Sequence, residues 1–371
     1  MKKLLPEVCT IQYGFPFDSA KFSDSDGMPL IRIRDVVRGY SETYTTEEYK
    51  SEYIVHENDL LIGMDGEFNI AKWGKTPALL NQRVCRLAPK DSIDKDYLFY
   101  FMPIALKRIE EKTPFVTVKH LSAKELNKIE IPVLPLEEQR KIAETLSKVD
   151  ELIAFRDQQL AKLDELVKAR FVEMFGESEY PRNSLISLII EGAGLSYGIV
   201  QPGDDGTGDM GVLRPVDFAD GKIKTDSIKY IDRSLGDGFK KTELNGNELL
   251  ITVRGTTGIT ALTDSRFKGM NVTRGIAVIR YDKKKVDSIY LNEYIKMEKS
   301  QQYIKEHTRG ATLQQINLSE LRDLEIVIPP LPLQRVFATF VEHVDQQKQT
   351  VQQSLEKLEL LKKALMQEYF G

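Results

Sequence analysis

Two stretches of the chain carry apolar residues at alternating steps of four and three, the spacing of a long helix that packs against another helix. A stripe of this kind has to be covered from water. We therefore expect the two helices to pack on each other, in antiparallel orientation, with one globular part at each end of the rod. The seam positions of the first stretch, two of them polar, are Ile142, Leu146, Val149, Ile153, Arg156, Leu160, Leu163, Val167, Arg170 and Met174. Those of the second are Phe337, Val341, Val344, Lys348, Val351, Leu355, Leu358, Lys362, Leu365 and Tyr369.

The two stretches are also copies of each other in sequence. Residues 139–176 and 334–371 are identical at 15 of 38 positions without a gap. The period is far longer than that of a solenoid repeat. About 38 residues at about 1.5 Å each predict a rod of roughly 55–60 Å. The chain is therefore two similar halves, each a globular part followed by one long helix.

Proline and glycine mark the ends of both helices. Pro135 and Pro332 stand just before the predicted helices, where a missing N–H costs little. On this reading the second hinge is two residues shorter, with no counterpart of Glu137 and Glu138. Gly176 and Gly371 stand where a left-handed cap is expected. The predicted division is 1–136 and 177–333 for two globular domains, with 137–176 and 334–371 for two long helices.

The globular parts share an order of strand and helix signals. Residues 28–34 alternate like a strand, as 211–216 do more weakly. A turn followed by a buried strand at 57–63 has an echo at 247–252. An aromatic helical stretch follows near 97–101 and near 290–295, and then a short helix that Ser122 or Ser319 would cap. We expect an α+β protein, in which two pseudo-symmetric α/β domains are joined by two long helices that form an antiparallel coiled coil.

Composition narrows the class of protein. The formal net charge is −4, so nucleic-acid binding would depend on local basic patches or on a partner. No run of about 18 apolar residues predicts a membrane span. The two cysteines fit no metal spacing and suggest a reduced, cytoplasmic protein.

No enzyme signature survives inspection. Residues 69–76 resemble the end of a phosphate loop, but Asn69 stands where the first glycine is needed. The segment Gly255-Thr256-Thr257-Gly258 follows no dinucleotide-binding frame, and the four histidines are scattered. We expect no catalytic residue, no metal and no cofactor in this chain.

Basic and amide side chains lie beside glycines and aromatics at matching points of both halves. Arginine can bond guanine at two atoms, asparagine or glutamine can do so with adenine, and lysine and threonine more often hold phosphates. Taken singly, each such residue is more often a solvated surface residue, but the matching sets favour DNA binding. The predicted contacts are Arg32, Arg34, Lys72, Lys75, Asn81, Arg83, Lys119, His120, Arg214, Arg254, Thr256, Lys268, Asn271, Arg274, Arg309, Gln314 and Gln315.

Four phrases resemble those of a known family, the specificity (S) subunits of type I restriction–modification systems. They are IPVLPLEEQRKI at 131–142, IPPLPLQR at 328–335, DLLI at 59–62 and LSAKEL at 121–126. The resemblance implies two target-recognition domains, an antiparallel coiled coil and a non-catalytic chain. It also implies a split double-stranded DNA target, two methyltransferase (M) subunits docked on the helices and restriction (R) subunits that can join. S-adenosylmethionine would be bound by the M subunit.

Other interpretations stay open at this point. A specificity module of a fused or type IIB-like system would have a similar sequence. A coiled-coil interaction protein with two sugar- or peptide-binding domains belongs to a different class and would show no DNA dependence with any methyltransferase. An enzyme with an unrecognised site is a third, although no convergent acid, base or nucleophile supports it.

Overall fold

The computed structural model describes residues 1–74, 76–112, 119–176, 179–201, 203, 208–219, 221–311 and 313–371. They form two compact units. Unit 1 is Met1–Gln158 together with Gln353–Gly371, and unit 2 is Gln159–Gln352. Each unit therefore contains part of both long helices. The four-segment division at 136, 176 and 333 follows chain order instead, and it stays a prediction.

Unit 1 is built from short strands and helices. Its strands are β1 (Lys2–Leu4), β2 (Cys9–Tyr13), β3 (Phe22–Ser23), β4 (Met28–Ile31), β5 (Tyr44–Thr45), β6 (Ile54–Val55), β7 (Leu60–Gly63), β8 (Asn69–Lys72), β9 (Ala78–Leu80), β10 (Val84–Pro89) and β11 (Glu130–Pro132). Its shorter helices are α1 (Leu5–Val8), α2 (Ile33–Arg38), α3 (Lys95–Lys112) and α4 (Ala123–Asn127), with 3-10 turns at Ser19–Lys21 and Ser51–Tyr53. One sheet has the order β2-β10-β7-β8 and another β3-β5-β4-β9-β6, while β1 pairs with β11.

Unit 2 repeats this order of elements. Its strands are β12 (Arg182–Ser184), β13 (Met210–Leu213), β14 (Phe218–Ala219), β15 (Lys222–Ile223), β16 (Lys229–Ile231), β17 (Leu249–Thr252), β18 (Thr260–Leu262), β19 (Asn271–Val272), β20 (Ile276–Ile279), β21 (Thr308–Arg309), β22 (Gln315–Ile316) and β23 (Glu325–Val327). Its helices are α6 (Ser288–Lys296), α7 (Glu298–His307) and α8 (Leu318–Arg322), with 3-10 segments at Leu185–Leu188, Pro215–Asp217, Arg233–Thr242 and Ser265–Phe267. The order β18-β17-β20 corresponds to β8-β7-β10 of unit 1, and parallel β13 and β19 correspond to β4 and β9.

The central strand of each unit is buried on both faces, as its continuous apolar run predicts. In β7, Leu60 packs into a cluster with the helical layer, whereas Leu61 packs on the other face with Trp73. In β17, Leu249 and Leu250 divide between two clusters in the same way. Because packing on both faces holds the strand in place, the position at which the following loop begins is well defined.

The long helices are α5 (Leu136–Phe175) and α9 (Leu331–Phe370). In unit 1, Lys362 pairs with Asp150 at 2.6 Å, and the Arg156 Nε donates to the Ser354 Oγ at 3.2 Å. Position numbers therefore rise on α5 as they fall on α9, and the segments are antiparallel. All seam residues of both helices are buried or half-buried, as predicted. Two of the polar seam residues, Arg156 and Lys362, are tolerated because these bonds satisfy them.

In unit 2 the other ends of the two helices pack with aromatic residues. Lys348 pairs with Asp164 at 2.6 Å. Phe337 of α9 meets Phe171 and Phe175 of α5 with ring centroids 5.5 and 5.6 Å apart. The helix segments of this unit are therefore also antiparallel.

The hinge before α9 is not shorter than the one before α5, so that expectation was wrong. The Gln139 amide donates to the Pro135 carbonyl, and the Gln334 amide donates to the Pro330 carbonyl, at 3.0 and 3.2 Å. Pro330, not Pro332, is thus the counterpart of Pro135. Pro332 lies in the first helical turn, where proline is tolerated, so α9 begins at Leu331 rather than near Gln334.

Three local predictions also need correction. Gly176 has no positive φ. Its amide continues the helical pattern to the Val172 carbonyl at 2.7 Å, so it is not a left-handed cap. Ser122 caps α4 as predicted, but Asn317 is the N-cap residue of α8 and Ser319 lies inside that helix. The strand predicted over 28–34 ends at Ile31, because the Asp35 carboxylate accepts the Arg32 amide and begins α2.

Candidate nucleic-acid interface

Three loop segments meet at one end of the central sheet of unit 1. The Leu121 amide donates to the Met64 carbonyl at 2.7 Å, and the Gly66 amide donates to the Lys119 carbonyl at 2.9 Å. The Met64 amide in turn donates to the Arg83 carbonyl at 3.0 Å. These bonds hold the segments together as one surface. We call residues 64–66, 81–83 and 119–121 the loop platform of unit 1.

Unit 2 contains the same arrangement of backbone hydrogen bonds. The Ile316 amide donates to the Val253 carbonyl at 3.0 Å, and the Gly255 amide donates to the Gln314 carbonyl at 2.9 Å. The Val253 amide donates to the Gly275 carbonyl at 2.8 Å. We call residues 253–255, 273–275 and 314–316 the loop platform of unit 2.

The shared bonds match the two platforms residue by residue. The bridge between Asp65 and His120 in unit 1 has its counterpart in the bridge between Arg254 and Gln315 in unit 2. The resulting pairs are Asp65 with Arg254, Arg83 with Gly275, Lys119 with Gln314 and His120 with Gln315. The backbone frame is common to both units, and the side chains at each position differ in charge or hydrogen-bonding character.

Asn81 and Asn271, two of the predicted contacts, do not occupy matching positions in the two units. The parallel pairing of β4 with β9 places Leu79 where the pairing of β13 with β19 places Asn271. The counterpart of Asn81 is therefore Thr273, two positions further on. The segments around the two asparagines look alike in sequence, but they are offset by two residues in strand register. An offset of two residues keeps a side chain on the same face of the strand.

At the platform of unit 1 a carboxylate joins two of the predicted DNA contacts. The Asp65 Oδ1 lies 2.5 Å from the His120 Nδ1, and its Oδ2 lies 3.5 Å from the Arg83 Nε. The Asp65 side chain is 19% exposed, whereas those of Arg83 and His120 are 53% and 50% exposed. The two basic side chains therefore form the outer surface and the carboxylate lies beneath them.

At the platform of unit 2 the positive charge is less compensated. Gln315 is bridged to Arg254 on one side and paired with Arg309 on the other, so these three predicted contacts are neighbours. Arg309 has a carboxylate, that of Glu320, at 3.7 Å. Within the described ranges no carboxylate pairs with Arg254 or with the exposed Arg274. Two guanidinium groups thus keep their donors for an external acceptor.

Several predicted contacts make bonds inside the protein. The Lys72 Nζ lies 2.8 Å from an Asp96 oxygen and 5.1 Å from the centre of the Phe99 ring. The Lys119 Nζ donates to the Glu110 carbonyl at 2.9 Å. A DNA phosphate would have to compete with these partners.

Two predicted arginines, Arg214 and Arg32, directly precede a helical turn and bond to its first acidic residue. The Arg214 guanidinium bonds Asp217 at 3.0 Å, and the Asp217 carboxylate also accepts the Arg214 amide at 2.7 Å. Arg32 occupies the same place in unit 1 and is exposed. The Arg34 Nε lies 3.7 Å from the buried Asp35.

The side chains of the two predicted asparagines are turned inward, so neither side chain is counted among the groups that face an external partner. Asn271 is 1% exposed. Its Oδ1 accepts from the Thr242 hydroxyl at 2.8 Å, and its Nδ2 donates to the Phe239 carbonyl at 3.1 Å. Asn81 is buried as well, and its Oδ1 accepts the Gln82 amide at 2.8 Å. A base contact would require these internal bonds to break.

Of the remaining predicted residues, some lie in or next to a loop platform and others lie away from it. Thr256 follows the unit 2 platform directly and is exposed, as is Gln314 within it. Lys268 is exposed but precedes β19, at the opposite end of that strand from residues 273–275. Lys75 lies outside the described residues.

Asp65 is the platform residue that sequence reasoning missed. The search favoured basic and amide side chains, so an acid was passed over. Aligning the two halves on the glycine after the central strand would have found it, because Met64-Asp65-Gly66 then stands over Val253-Arg254-Gly255.

Comparison with known proteins identifies the family of the chain. A family model described as the type I restriction modification DNA specificity domain matches residues 1–165 and 207–360. The chain is 29% identical over 373 residues to the type I restriction enzyme EcoBI specificity subunit of Escherichia coli, which covers 92% of this chain and 78% of that protein. It is 23% identical over 379 residues to the MjaVIII specificity subunit of Methanocaldococcus jannaschii, over 91% of this chain and 87% of that one.

A solved structure gives the same fold. The type I restriction–modification S subunit from M. genitalium aligns over 100% of this chain and 96% of its own length, with a TM-score of 0.60 and 14% identity. The predicted α+β fold with paired long helices is thereby confirmed. Across the described part of the chain, no helix has the length and apolar character needed to cross a bilayer.

The family model matches most of the chain, in two segments that correspond to the two repeated halves. The chain therefore belongs to the family of type I restriction–modification specificity subunits, the non-catalytic members of such systems, and contains two recognition domains.

Proposed function

We propose that each loop platform reads one half of a split double-stranded DNA target. The observation that carries this proposal is the shared backbone frame with different side chains. Platform hydrogen bonds fix the backbone, so the exposed side chains present donors in a defined geometry. Arg83 and His120 supply them in unit 1, and Arg254, Arg274 and Arg309 in unit 2. Arginine donors of this kind suit the paired acceptors of guanine in the major groove.

The helix pair would determine the spacing between the half-sites. Each long helix has 40 residues, about 60 Å at about 1.5 Å per residue. Buried glutamines tie both helix starts to the recognition domains: the Gln139 Oε1 accepts the Asp94 amide, and the Gln334 Oε1 accepts the Asp287 amide, each at 2.8 Å. A rigid joint of this kind supports a fixed spacer.

Methyl transfer and DNA cleavage belong to partner subunits in this proposal. Two M subunits would dock on the long helices and bind S-adenosylmethionine, and R subunits would join that complex in the cytoplasm. Both helices have large apolar side chains that remain more than a third exposed, which suits a docked protein. These are Leu136, Leu152, Phe155, Leu166, Val172, Val336, Leu360 and Leu361.

Methylome sequencing of the source strain, with and without this gene, tests the proposal. We expect deletion to abolish methylation at one split motif and complementation to restore it, because the M subunit has no target without its specificity subunit. Co-purification of the chain with an M subunit shows that the system is expressed. A methylome that deletion leaves unchanged, in cells where that complex forms, would overturn the proposal.

A further inference from the structure

The position after the central strand has opposite charge in the two units. Asp65 and Arg254 occupy the same place, because the residues on either side of each make the same backbone bonds to the third platform segment. An arginine there has an evident use against DNA. A carboxylate repels phosphates, so Asp65 needs a different explanation.

The contacts of Asp65 supply that explanation. Its Oδ2 lies 3.5 Å from the Arg83 Nε, and the Arg83 Nη1 in turn lies 3.5 Å from the His120 Nδ1, so the acid and the imidazole both adjoin that guanidinium. Its Oδ1 contacts the His120 Nδ1 at 2.5 Å, which leaves the His120 Nε2 for an outside partner. A guanidinium that bonds a base at two atoms has to be held in one plane, and a carboxylate on Nε can hold it so.

In unit 2 the arginine lies at the position that corresponds to Asp65, not at the position that corresponds to Arg83. The counterpart of Arg83 is Gly275, where a Cβ atom would lie 2.7 Å from the Pro215 Cγ. An arginine does not fit there without a shift. Arg254, at the Asp65 position, takes over the role. One platform position thus holds an acid, Asp65, in unit 1 and an arginine, Arg254, in unit 2. The acid is found in the unit whose platform arginine, Arg83, lies on the neighbouring loop segment.

We propose that Asp65 is a positioning residue that orients Arg83, and with it His120, for base readout in the first half-site. This inference rests on the proposed function. It assigns Asp65 to specificity rather than to affinity. Removing its charge should therefore weaken discrimination between DNA sequences while leaving general attraction to DNA unchanged or stronger.

The test uses the complex of this chain with its M subunit, and the motif obtained from the wild-type methylome. For Asp65→Ala we expect the preference for that motif over a duplex with a scrambled first half to fall about tenfold, the loss of one bidentate contact. Binding to the scrambled duplex should hold or increase. The methylome should relax at one position of the first half-site. Asp65→Asn, which keeps the size and one acceptor, should lie between.

Two further variants make the result decisive. Asp24→Asn removes one exposed charge from the same unit and should leave the motif unchanged. Arg83→Ala should add nothing further in an Asp65→Ala background, because the acid acts through the arginine. Additive losses would mean that Asp65 contacts DNA itself and would overturn the proposal, as would an unchanged motif in both Asp65 variants.

The outcomes separate the two proposals. If the wild-type complex methylates no split motif, the proposed function fails. If it does so and the Asp65 variants retain full discrimination, only the role of Asp65 fails. Equal loss of binding to both duplexes, with a lowered melting temperature in both Asp65 variants, would make Asp65 a structural residue and would likewise reject the proposal.

Discussion

At the residue scale, position in the fold decided which polar side chains face outward. Arg83, Arg254 and Arg274 stand on platform loops and are at least partly exposed. Asn271, of a residue type equally suited to read a base, has its amide bonded in the interior. Residue type alone does not distinguish these cases, because the state of Asn271 depends on the register of the two-residue strand β19. The sequence analysis therefore named all three platform arginines but did not predict that the asparagine side chains are buried.

Glu248 illustrates a buried carboxylate with a structural task. It is fully buried before β17 and accepts the Asn245, Gly246 and Asn247 amides at 2.8 to 3.0 Å. Burial raises its pKa, but these bonds, the Thr263 hydroxyl and the Arg280 charge outweigh burial and hold the pKa below its ordinary value. The turn that starts the central strand thus depends on the ionised form.

Acid should therefore weaken unit 2. A lowered folded-state pKa contributes stability above the ordinary value of 4.5, and that contribution is lost as pH falls through the folded-state pKa. Glu248→Gln should destabilise unit 2 at pH 7 by about 1–3 kcal/mol and flatten the loss of stability below pH 4.5. Denaturant unfolding followed by hydrogen exchange in unit 2 measures both. The exposed Glu243→Gln is the control, and equal behaviour of the two variants would contradict this role.

At the element scale, the long helices were the most predictable part. The period of their apolar residues, the lack of internal glycine and the duplication predicted both helices and their antiparallel pairing from the sequence. Their starts were less predictable, since Pro332 could stand before a helix or in its first turn. Strand ends were missed for a similar reason: the Asp35 carboxylate begins a helix inside an alternating stretch. Here a helix-capping hydrogen bond determines the local structure, although the short alternating pattern alone would favour a strand.

The identical glutamine that opens both repeats has a physical cause. Gln139 is fully buried and donates to the Leu134 carbonyl at 2.7 Å while accepting the Asp94 amide at 2.8 Å. Gln334 makes the equivalent bonds to Pro329 and Asp287. Repetition in the sequence marked these residues, but only the structure shows that they join a long helix to its recognition domain.

Removing that joint should loosen one unit. Gln139→Ala leaves a partly buried amide and a partly buried carbonyl without this partner, so we expect unit 1 to lose about 1–2 kcal/mol of its unfolding free energy. Faster hydrogen exchange at the Asp94 amide would accompany it. Gln158→Ala, on the exposed side of the same helix, is the matched control. If the two variants are equally stable, the joint has no energetic role.

At the scale of the whole molecule, duplication is the central fact. Two units with one backbone frame and two sets of side chains suit a protein that reads two sequences. The sequence predicted this plan from its repeat and its hinges. It could not predict which loops converge, because the platforms are made by hydrogen bonds between segments more than 50 residues apart, such as Met64 with Leu121 and Val253 with Ile316.

The most direct measurement is the methylome of cells complemented in turn with the wild-type chain, Arg83→Ala and Arg254→Ala. Arg83 stands on the platform of unit 1 and Arg254 on that of unit 2. We predict that each substitution relaxes or changes one half of the split motif, a different half for each, with the spacer unchanged. If both substitutions alter the same half, or if either alters the spacer alone, the assignment of one half-site to each unit is wrong.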